Sequence, residues 1–310
     1  MTLRATYHLG PPPVGAELDH ASILFVGTAT TVLRLGAFTL LTDPNFLHAG
    51  DPVHLRYGVF SRRRTNPALE IDQLPLLDAC LLSHLHGDHW DRVATRHLSR
   101  ELPVFAPPAA ARALRRRGFR QAVSLGTWDH AELRRGERWL RVTALPGRHG
   151  PGAVARLLPA VMGSMVELGE GTAAPRLRLY VSGDTVVHDE LRRIPEAFPD
   201  VDVGLFHLGG TRVLGLLVTL DAEQGVEAVR TIRPHVAIPI HFDDYDAFRS
   251  PLEDFLRAAD GAGLASRVHV LTRGETFELE LPPARRPELS EPSRPAAPPP
   301  AAAEVQPWSG

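Results

Sequence analysis

Cysteine and long apolar runs are the two features that this sequence most clearly lacks. Its 310 residues include one cysteine, Cys80, which excludes an intrachain disulfide framework and a cysteine-based zinc site. Cys80 sits in an apolar run, which is more typical of a small core residue than of a catalytic thiol. The longest apolar runs are far shorter than the roughly 20 residues that a membrane-spanning helix needs. The start of the chain has no basic region followed by an apolar stretch, so we expect no signal peptide and a cytoplasmic protein.

A strong net charge is also absent. The formal net charge is −2 at pH 7, which argues against a broadly basic surface of the kind that holds nucleic acid. The composition, 44% hydrophobic and 23% charged, is typical of a soluble globular protein. The length allows a sizeable hydrophobic core. We therefore expect a small-molecule or lipid-like substrate rather than a nucleic acid, and a homo-oligomer is compatible with the sequence.

Short β-strands are predicted for the first third of the chain. Residues 1–20 look irregular and contain a run of three prolines. Residues 44–76 contain scattered Pro, Gly and Arg and are predicted to form a long loop, a feature that is often functional. The continuous apolar run over 78–83 predicts a strand buried on both faces. Apolar segments separated by glycine turns predict three further strands, over 23–26, 31–35 and 38–42.

Helix and strand signals alternate in the rest of the chain. Helices are predicted over 109–117 and over 221–232, the second with Asp221 or Thr219 as its N-cap. The predicted strands lie over 139–145, 177–181, 201–206, 236–240, 268–271 and 276–281, of which the last two could close a second sheet.

The composition divides the chain into three parts. The irregular segment over 1–20 precedes a single domain over 21–281. From Pro282 the sequence consists mainly of Pro, Ala, Glu and Arg, so residues 282–310 are predicted to be a disordered tail.

One short segment holds an unusual concentration of metal-ligand side chains. Residues 83–89 read Ser-His-Leu-His-Gly-Asp-His and follow the predicted strand over 78–83. In an extended segment alternate side chains point the same way, so His84 and His86 address one point. A tight turn at Gly87, leading into a helix, then directs Asp88 and His89 to a second point nearby. Imidazole and carboxylate are the usual ligands of zinc and related divalent ions. The segment thus predicts two ligands for each of two neighbouring metal ions.

Three more ligand-type side chains directly follow predicted strands. His149 follows the strand over 139–145, and Asp184 and His241 follow those over 177–181 and 236–240. Sites in α/β layers gather at the carboxyl ends of strands, where residues distant in sequence converge. We therefore expect these three residues to join the same site.

In this order of residues the chain resembles the metallo-β-lactamase superfamily, whose signature is His-x-His-x-Asp-His followed by a distant His, Asp and His. The resemblance covers roughly residues 21–281. It implies an αββα sandwich: two mixed sheets face to face, helices on the outer faces and a metal site at one edge. It also implies a binuclear centre with the following ligands: His84, His86 and His149 for metal 1, Asp88, His89 and His241 for metal 2, and Asp184 together with a water or hydroxide bridging both.

Within the superfamily the chain is most similar to the branch of N-acylphosphatidylethanolamine phospholipase D and ascorbate-6-phosphate lactonase. That branch has a Leu-Thr-Asp-Pro strand end, which is intact here at residues 41–44. It also has a Gly-His-Ala-Thr turn, which reads Gly-Thr-Ala-Thr at residues 27–30. Thr28 therefore stands where the branch usually has His, so the role of that His does not transfer to this chain.

The implied reaction is hydrolysis by a hydroxide held between two divalent ions, which lower the pKa of the shared water. Asp88 and Asp184 are the catalytic candidates, because either carboxylate could orient the nucleophile and take its proton. Asp43 and Asp91 are predicted to accept a hydrogen bond from the free N–H of a ligating imidazole. For both, an ordinary turn or helix-start role is the alternative. Zinc is the default metal, although the donor set also accepts Mn²⁺ or Fe.

Four other residues are candidates for substrate contact. His207 follows the strand over 201–206, and His188 lies four residues after Asp184. Arg148 precedes His149, and Arg62 opens a run of three arginines in the long loop. Guanidinium groups match phosphate oxygens, although packing or a solvated loop surface would also explain these residues.

The sequence favours a phosphodiester or phospholipid-like ester as the substrate, because of the branch resemblance and the arginines. A lactonase acting on a sugar or phosphosugar lactone is the second interpretation. Two others stay open: a di-iron oxidoreductase, since the ligand set accepts iron, and a non-catalytic scaffold of the same fold.

Overall fold

Two mixed β-sheets of seven strands each lie face to face, with helices packed on the outer face of each. The computed structural model describes residues 1–54, 60–152 and 154–282. The predicted disordered tail, apart from Pro282, lies outside the described residues. The predicted αββα sandwich is confirmed.

The strands of the described chain are β1 (Thr2–His8), β2 (His20–Gly27), β3 (Thr30–Leu35), β4 (Phe38–Thr42), β5 (Pro52–His54), β6 (Phe60–Arg62), β7 (Ala79–Leu81), β8 (Val104–Ala106), β9 (Ala122–Ser124), β10 (Asp129–Arg135), β11 (Arg138–Pro146), β12 (Met162–Glu170), β13 (Leu177–Val181), β14 (Val203–His207), β15 (Arg212–Val213), β16 (Leu216–Leu217), β17 (Val236–Ile240) and β18 (Thr276–Glu280). The first sheet has the order β18-β2-β3-β4-β7-β8-β9, and the second has the order β1-β10-β11-β12-β13-β14-β17. Two separate hairpins, β5-β6 and β15-β16, lie outside these sheets.

The helices are α1 (Arg92–His97), α2 (Pro108–Arg116), α3 (Val154–Leu157), α4 (Arg193–Ala197), α5 (Ala222–Ile232) and α6 (Leu252–Gly261). The N-cap of α5 is Asp221, as predicted, and its carboxylate accepts a hydrogen bond from the Gln224 N–H. Helices α1 and α2 pack on the first sheet, and α4, α5 and α6 pack on the second.

Successive side chains along the strands of the first sheet point alternately to its two faces, and both faces are buried. Leu33 and Leu40 point into the core between the sheets, whereas their neighbours Val32 and Leu41 point to the core under the helices. Cys80 is fully buried and also lies in the core under the helices. Each fully buried aliphatic side chain contributes about 1.5–3 kcal/mol, so a sheet covered on both faces is strongly favoured.

The prediction of an irregular N-terminal segment is wrong for its first half. Residues Thr2–His8 form β1, which pairs in parallel with β10 at the edge of the second sheet. Its side chains are mostly exposed or half-buried, and Ala5 and Tyr7 pack on the central core. Because β1 is apolar at only a few alternate positions, its sequence gives a weak strand signal, which explains the error.

Two later predictions also need correction. Residues 268–271 form no strand beyond a single bridge between Val268 and Ala237. The segment over 276–281 is a strand, β18, but it pairs with β2 in the first sheet instead of closing the second. The predicted loop over 44–76 contains the short hairpin of β5 and β6.

Candidate metal centre

The segment over residues 83–89 runs across the end of strand β7 before helix α1 begins. Its side chains His84, His86, Asp88 and His89 are all buried. The chain turns tightly here, because the His89 and Trp90 N–H groups donate to the His86 carbonyl. Helix α1 begins at Arg92, so Asp88 and His89 lie in the turn before the helix. An extended segment and a turn thus supply four buried polar side chains to one site.

Three strands of the second sheet bring the remaining residues to the same edge. His149, Asp184 and His241 follow β11, β13 and β17, and all three are buried. Strands β13, β14 and β17 are parallel neighbours, so their carboxyl ends meet at one side of the sheet. The convergence predicted from the sequence is therefore present.

The seven side chains form two adjacent groups of donor atoms. In the first group, His84, His86 and His149 each place one nitrogen within 4.8 Å of the others. The Nε2 atom of His84 lies 2.9 Å from Nδ1 of His86. The three rings face a common point, which is the arrangement that a tris-imidazole metal site requires.

The second group comprises Asp88, His89, Asp184 and His241, whose donor atoms also lie within 4.8 Å of one another. His241 Nε2 is 3.5 Å from Asp88 Oδ2, and His89 Nε2 is 3.2 Å from Asp184 Oδ2. The same Asp184 oxygen lies 3.9 Å from His84 Nε2, so this carboxylate faces both groups.

Four of the imidazoles are oriented by a contact from Nδ1 to a neighbouring oxygen. These contacts join His84 to the Ser83 hydroxyl (3.1 Å), His89 to the Asp43 carboxylate (3.0 Å), His149 to the Val218 carbonyl (2.8 Å) and His241 to the Leu208 carbonyl (3.2 Å). Each contact leaves Nε2 free to face the centre, as in protein metal sites where an oxygen fixes the ligating tautomer. His86 differs, because its Nδ1 is the atom that faces His84.

Several buried polar atoms of the two groups have no hydrogen-bond partner among the described residues. They are Nε2 of His86, His89 and His241 and Oδ1 of Asp88 and Asp184. Leaving buried polar atoms unpaired is costly, about 1–3 kcal/mol each. Imidazole and carboxylate donors at these positions fit divalent metal ions, which would satisfy them.

The electrostatics of the two groups differ. Burial lowers the pKa of His86 to about 3, and burial also lowers the pKa of His84 and His149. These rings are neutral at pH 7 and can donate a lone pair. Burial acts in the same direction on His89 and His241, but the nearby carboxylates together outweigh it and raise both pKa values. Asp184 and Asp88 act on both rings, and Asp43 also acts on His89.

Asp43 makes the contact to an imidazole that was predicted for it. Its Oδ2 meets His89 Nδ1, and its Oδ1 accepts a hydrogen bond from the Ser83 N–H at 2.7 Å. Burial alone would raise the pKa of Asp43, but His89 and His207 lower it below its ordinary value. Asp43 therefore stays ionised and fixes the orientation of His89.

The same prediction is wrong for Asp91. Its two carboxylate oxygens accept hydrogen bonds from the Ala94 and Phe46 N–H groups, at 2.7 and 2.5 Å. The first bond makes it the N-cap of α1, and the second holds the loop that follows β4. Asp91 therefore stabilises the backbone beside residues 83–89, which we call the donor segment, and does not orient an imidazole. The free backbone N–H groups at the start of a helix favour an acidic side chain at this position.

The four predicted substrate contacts lie in different surroundings. His207 is fully buried beside His89, with its Nδ1 3.1 Å from the Ser182 hydroxyl, and a substrate contact for it stays a prediction. His188 is half-buried, and burial and the charge of Arg148 lower its pKa. Arg148 is exposed beside His149, and Arg62 is exposed and donates to the Gly50 carbonyl. For these last three, too, a substrate contact stays a prediction.

Sequence reasoning missed a buried polar network that supports the donor segment. The Asn45 side chain donates to the Gly87 carbonyl at 2.9 Å and accepts from Tyr245 and from the fully buried Arg63. Such a network rigidifies the turn that holds Asp88. The signal in the sequence was weak, because Arg63 belongs to a run of three arginines that looks like a solvated loop surface.

Thr28 lies in the turn between β2 and β3. It is buried with a positive φ of 54°, and its N–H donates to the Asp244 carboxylate at 2.7 Å. Asp244 also contacts Arg63, so the turn at Thr28 is tied to the same buried network. The Thr28 side chain itself lies outside both donor groups.

Comparison with known proteins agrees with this geometry. Residues 39–242 match the family described as the beta-lactamase superfamily domain, and the chain belongs to this family. It is similar to a UPF0173 metal-dependent hydrolase of Aeropyrum pernix, with 25% identity over 84% of this chain and 98% of the relative. A UPF0173 metal-dependent hydrolase of Pyrococcus furiosus is 23% identical over 83% of this chain and 99% of the relative.

Solved structures share the fold. An isothiocyanate hydrolase from Delia radicum gut bacteria superposes with a TM-score of 0.70 at 18% identity, over 83% of this chain and 98% of its own. A possible metal-dependent hydrolase from Veillonella parvula gives a TM-score of 0.69 at 22% identity over the same shares. The predicted class, a metal-dependent hydrolase of the metallo-β-lactamase fold, is confirmed. In the described part of the chain, no helix has the length and apolar character needed to cross a bilayer.

Proposed function

We propose that the chain hydrolyses a phosphodiester or phospholipid-like ester at a centre that holds two divalent metal ions, zinc by default. The observation that carries this proposal is the position of Asp184. One of its oxygens lies 3.2 Å from His89 Nε2 and 3.9 Å from His84 Nε2, between the two donor groups. A carboxylate so placed suits a bridge between two ions about 3.5–4 Å apart.

The ligands follow from the two groups of donor atoms. We assign His84, His86 and His149 to metal 1, Asp88, His89 and His241 to metal 2, and Asp184 to both. The orientation of four imidazoles by oxygen contacts at Nδ1 supports this assignment, since it leaves Nε2 as the ligating atom.

Two divalent ions at these positions would lower the pKa of a water towards neutrality and polarise the bond under attack. The residues of the chain have separate tasks. Burial would raise the pKa values of Asp88 and Asp184, but neighbouring imidazoles lower both, so each carboxylate is ionised at pH 7. Either can hold the water by a hydrogen bond and accept its proton. Burial raises the pKa of the Cys80 thiol, which lies in the core and is unsuited as a nucleophile.

The substrate class rests on two features. The Leu-Thr-Asp-Pro segment at residues 41–44 is shared with the phospholipase D and lactonase branch, and it places Asp43 against His89. Arg148 and His188 lie beside the strand ends that carry His149 and Asp184, and we propose them as contacts for an anionic substrate. Arg62, the last residue of β6, is a further candidate.

A hydrolase screen tests this proposal. Metal-loaded wild type is assayed on phosphodiesters, lactones and thioesters beside Asp88→Ala and His86→Ala. Both variants are expected to lose more than about 10²-fold in rate, as the loss of a metal ligand should cause. His97→Ala is the matched control, because His97 is exposed at the end of α1 and should leave the rate unchanged.

The outcome also separates the alternatives. Turnover of lactones but not of phosphodiesters would favour the lactonase. Equal rates in wild type and the Asp88→Ala and His86→Ala variants would reject the metal mechanism. A native protein with bound iron and a visible absorption spectrum would favour a di-iron oxidoreductase, and two bound metals without turnover would favour a scaffold.

A further inference from the structure

A cavity lies beside the donor segment, and none of the seven proposed metal ligands lines it. It has a volume of about 630 Å³ and is lined by Gly87, by Trp90 and by four arginines, Arg92, Arg96, Arg100 and Arg117. We call it the arginine cavity. Helix α1 supplies Arg92 and Arg96, which are four residues apart and therefore share one face of the helix. Residues of α1, of the loop after it and of the C-cap of α2 converge here.

The charge of the arginine cavity is incompletely balanced. Asp51 pairs with Arg92 at 2.6 Å, and the only lining carboxylate among the described residues, Asp91, already accepts two backbone N–H groups. Neither Arg96 nor Arg100 has a carboxylate partner in the described part of the chain. The nearby acid Glu101 is paired with Arg120 instead. Arg96 and Arg100 thus give the cavity an excess of positive charge.

Arg100 lines the cavity with a guanidinium group that packing holds in place. This group stacks on the Phe119 ring, with Cζ 4.2 Å from the ring centroid. Its Nη1 atom has no hydrogen-bond partner in the described chain. Arg100 therefore brings to the cavity wall a positive charge that is held by packing and that no carboxylate of the described chain balances.

We propose that the arginine cavity binds a phosphate group. Guanidinium forks match phosphate oxygens bidentately, and several of them around one point favour a phosphate over a singly charged carboxylate. The apolar side chains Leu47, Val53 and Trp90 complete the wall, so the cavity accepts a phosphate monoester that carries an apolar part. Because Gly87 joins His86 to Asp88, the bound group would lie directly against the donor segment.

Calorimetric titration of the metal-loaded full-length chain with inorganic phosphate tests this site. The variants Arg96→Gln and Arg100→Gln are each expected to weaken binding about ten-fold, as the loss of a charge-assisted hydrogen bond should do. Arg116→Gln is the matched control, because it removes the same charge from an exposed position of α2 outside the cavity. Its affinity should equal that of wild type. Circular dichroism and the melting temperature show whether each variant is folded. The variant Arg100→Lys keeps the positive charge but removes the planar guanidinium group, so it tests which of the two the binding requires.

Phosphate can also bind to metal ions, and one further variant separates the two sites. Asp184→Asn disrupts the proposed metal bridge but should leave binding in the arginine cavity unchanged. Binding that is lost in Asp184→Asn and kept in Arg100→Gln would place the phosphate at the metals and overturn the proposal. An absence of saturable binding in wild type would overturn it as well. Failure here leaves the proposed hydrolase function untouched, since that function is measured by turnover in other variants.

Two further probes identify the source of the phosphate group. Glycerol 1-phosphate represents a free phosphate monoester, and dihexanoyl phosphatidic acid represents a lipid headgroup with apolar chains. Equal affinity for both probes assigns the site to a free phosphate monoester. An affinity for the phosphatidic acid that is about ten-fold or more higher assigns the site to a lipid headgroup, because burial of a few CH₂ groups is sufficient for that gain in affinity.

Discussion

Two buried aspartates of identical chemistry serve different purposes in this protein. Asp43 contacts His89, whereas Asp91 caps α1 and holds the backbone at Phe46. The difference arises from the donors that surround each carboxylate. Asp43 meets an imidazole and one backbone N–H group, whereas Asp91 meets backbone N–H groups. At the scale of single residues, function therefore depends on hydrogen-bond partners that lie far away in the sequence.

Alanine substitutions at these two positions should separate metal binding from stability. Asp43→Ala removes the contact that orients His89 and is expected to weaken metal binding about 10–100-fold. Asp91→Ala is the matched control: it should lower the free energy of unfolding by about 1 kcal/mol through loss of the N-cap, with metal affinity unchanged. Competition with a chromogenic chelator measures the affinity, and urea denaturation measures the stability. Equal metal affinities in the two variants would contradict the role assigned to Asp43.

At the scale of elements, parallel strands and tight turns assemble the candidate centre. Strand β13 ends at Val181, and Gly183 then reverses the chain with a φ of +61° to present Asp184. A Cβ atom at Gly183 would lie 3.0 Å from the Met162 carbonyl oxygen and 3.0 Å from Ser83 Cβ. The turn therefore needs glycine for its conformation and also for its close packing.

Replacement of Gly183 by alanine should move Asp184 and weaken the centre. We expect Gly183→Ala to lower the free energy of unfolding by about 2–3 kcal/mol and to reduce metal binding. Gly171→Ala is the matched control, since Gly171 has a similar φ of +57° but its nearest neighbouring atom is 3.9 Å away. That variant should cost only about 1 kcal/mol of backbone strain. Similar losses in the two variants would show that packing at Gly183 is unimportant.

An ion cluster across strands β10 and β11 makes stability depend on pH. Glu132 accepts hydrogen bonds from Arg134 and Arg141 at 2.6 to 3.0 Å. Burial would raise the pKa of Glu132, but the two guanidinium groups outweigh it and lower the pKa below its ordinary value. A lowered pKa means that the stabilisation is present above about pH 4.5 and is lost as the pH falls through the folded-state value.

The variant Glu132→Gln tests the direction of this pH dependence. At pH 7 it should be less stable than wild type by about 1 kcal/mol, a modest value because both arginines are more than a third exposed. The difference should shrink below about pH 4 in urea denaturation series, as wild-type Glu132 becomes protonated. A difference that grows on acidification would contradict the assigned shift.

At the scale of the whole molecule, the sequence predicted the sandwich and the seven donor side chains but not the edges of the sheets. Buried strands such as β4 and β13 are rich in apolar residues, and their predicted bounds agree with the structure. The edge strand β1 and the partner of β18 were missed, because edges bury little surface and their pairing depends on distant segments. The Asn45 and Arg63 network was missed for the same reason, since its contacts join residues that are distant in sequence.

We propose that one edge of the sandwich gathers seven side chains around two metal ions. Anomalous diffraction at the zinc absorption edge, from crystals of zinc-loaded protein, locates these ions. We expect two peaks about 3.5–4 Å apart, each about 2.0–2.2 Å from its ligands, with Asp184 in contact with both. A single peak, or two peaks of which only one contacts Asp184, would show that the seven side chains do not form a binuclear centre.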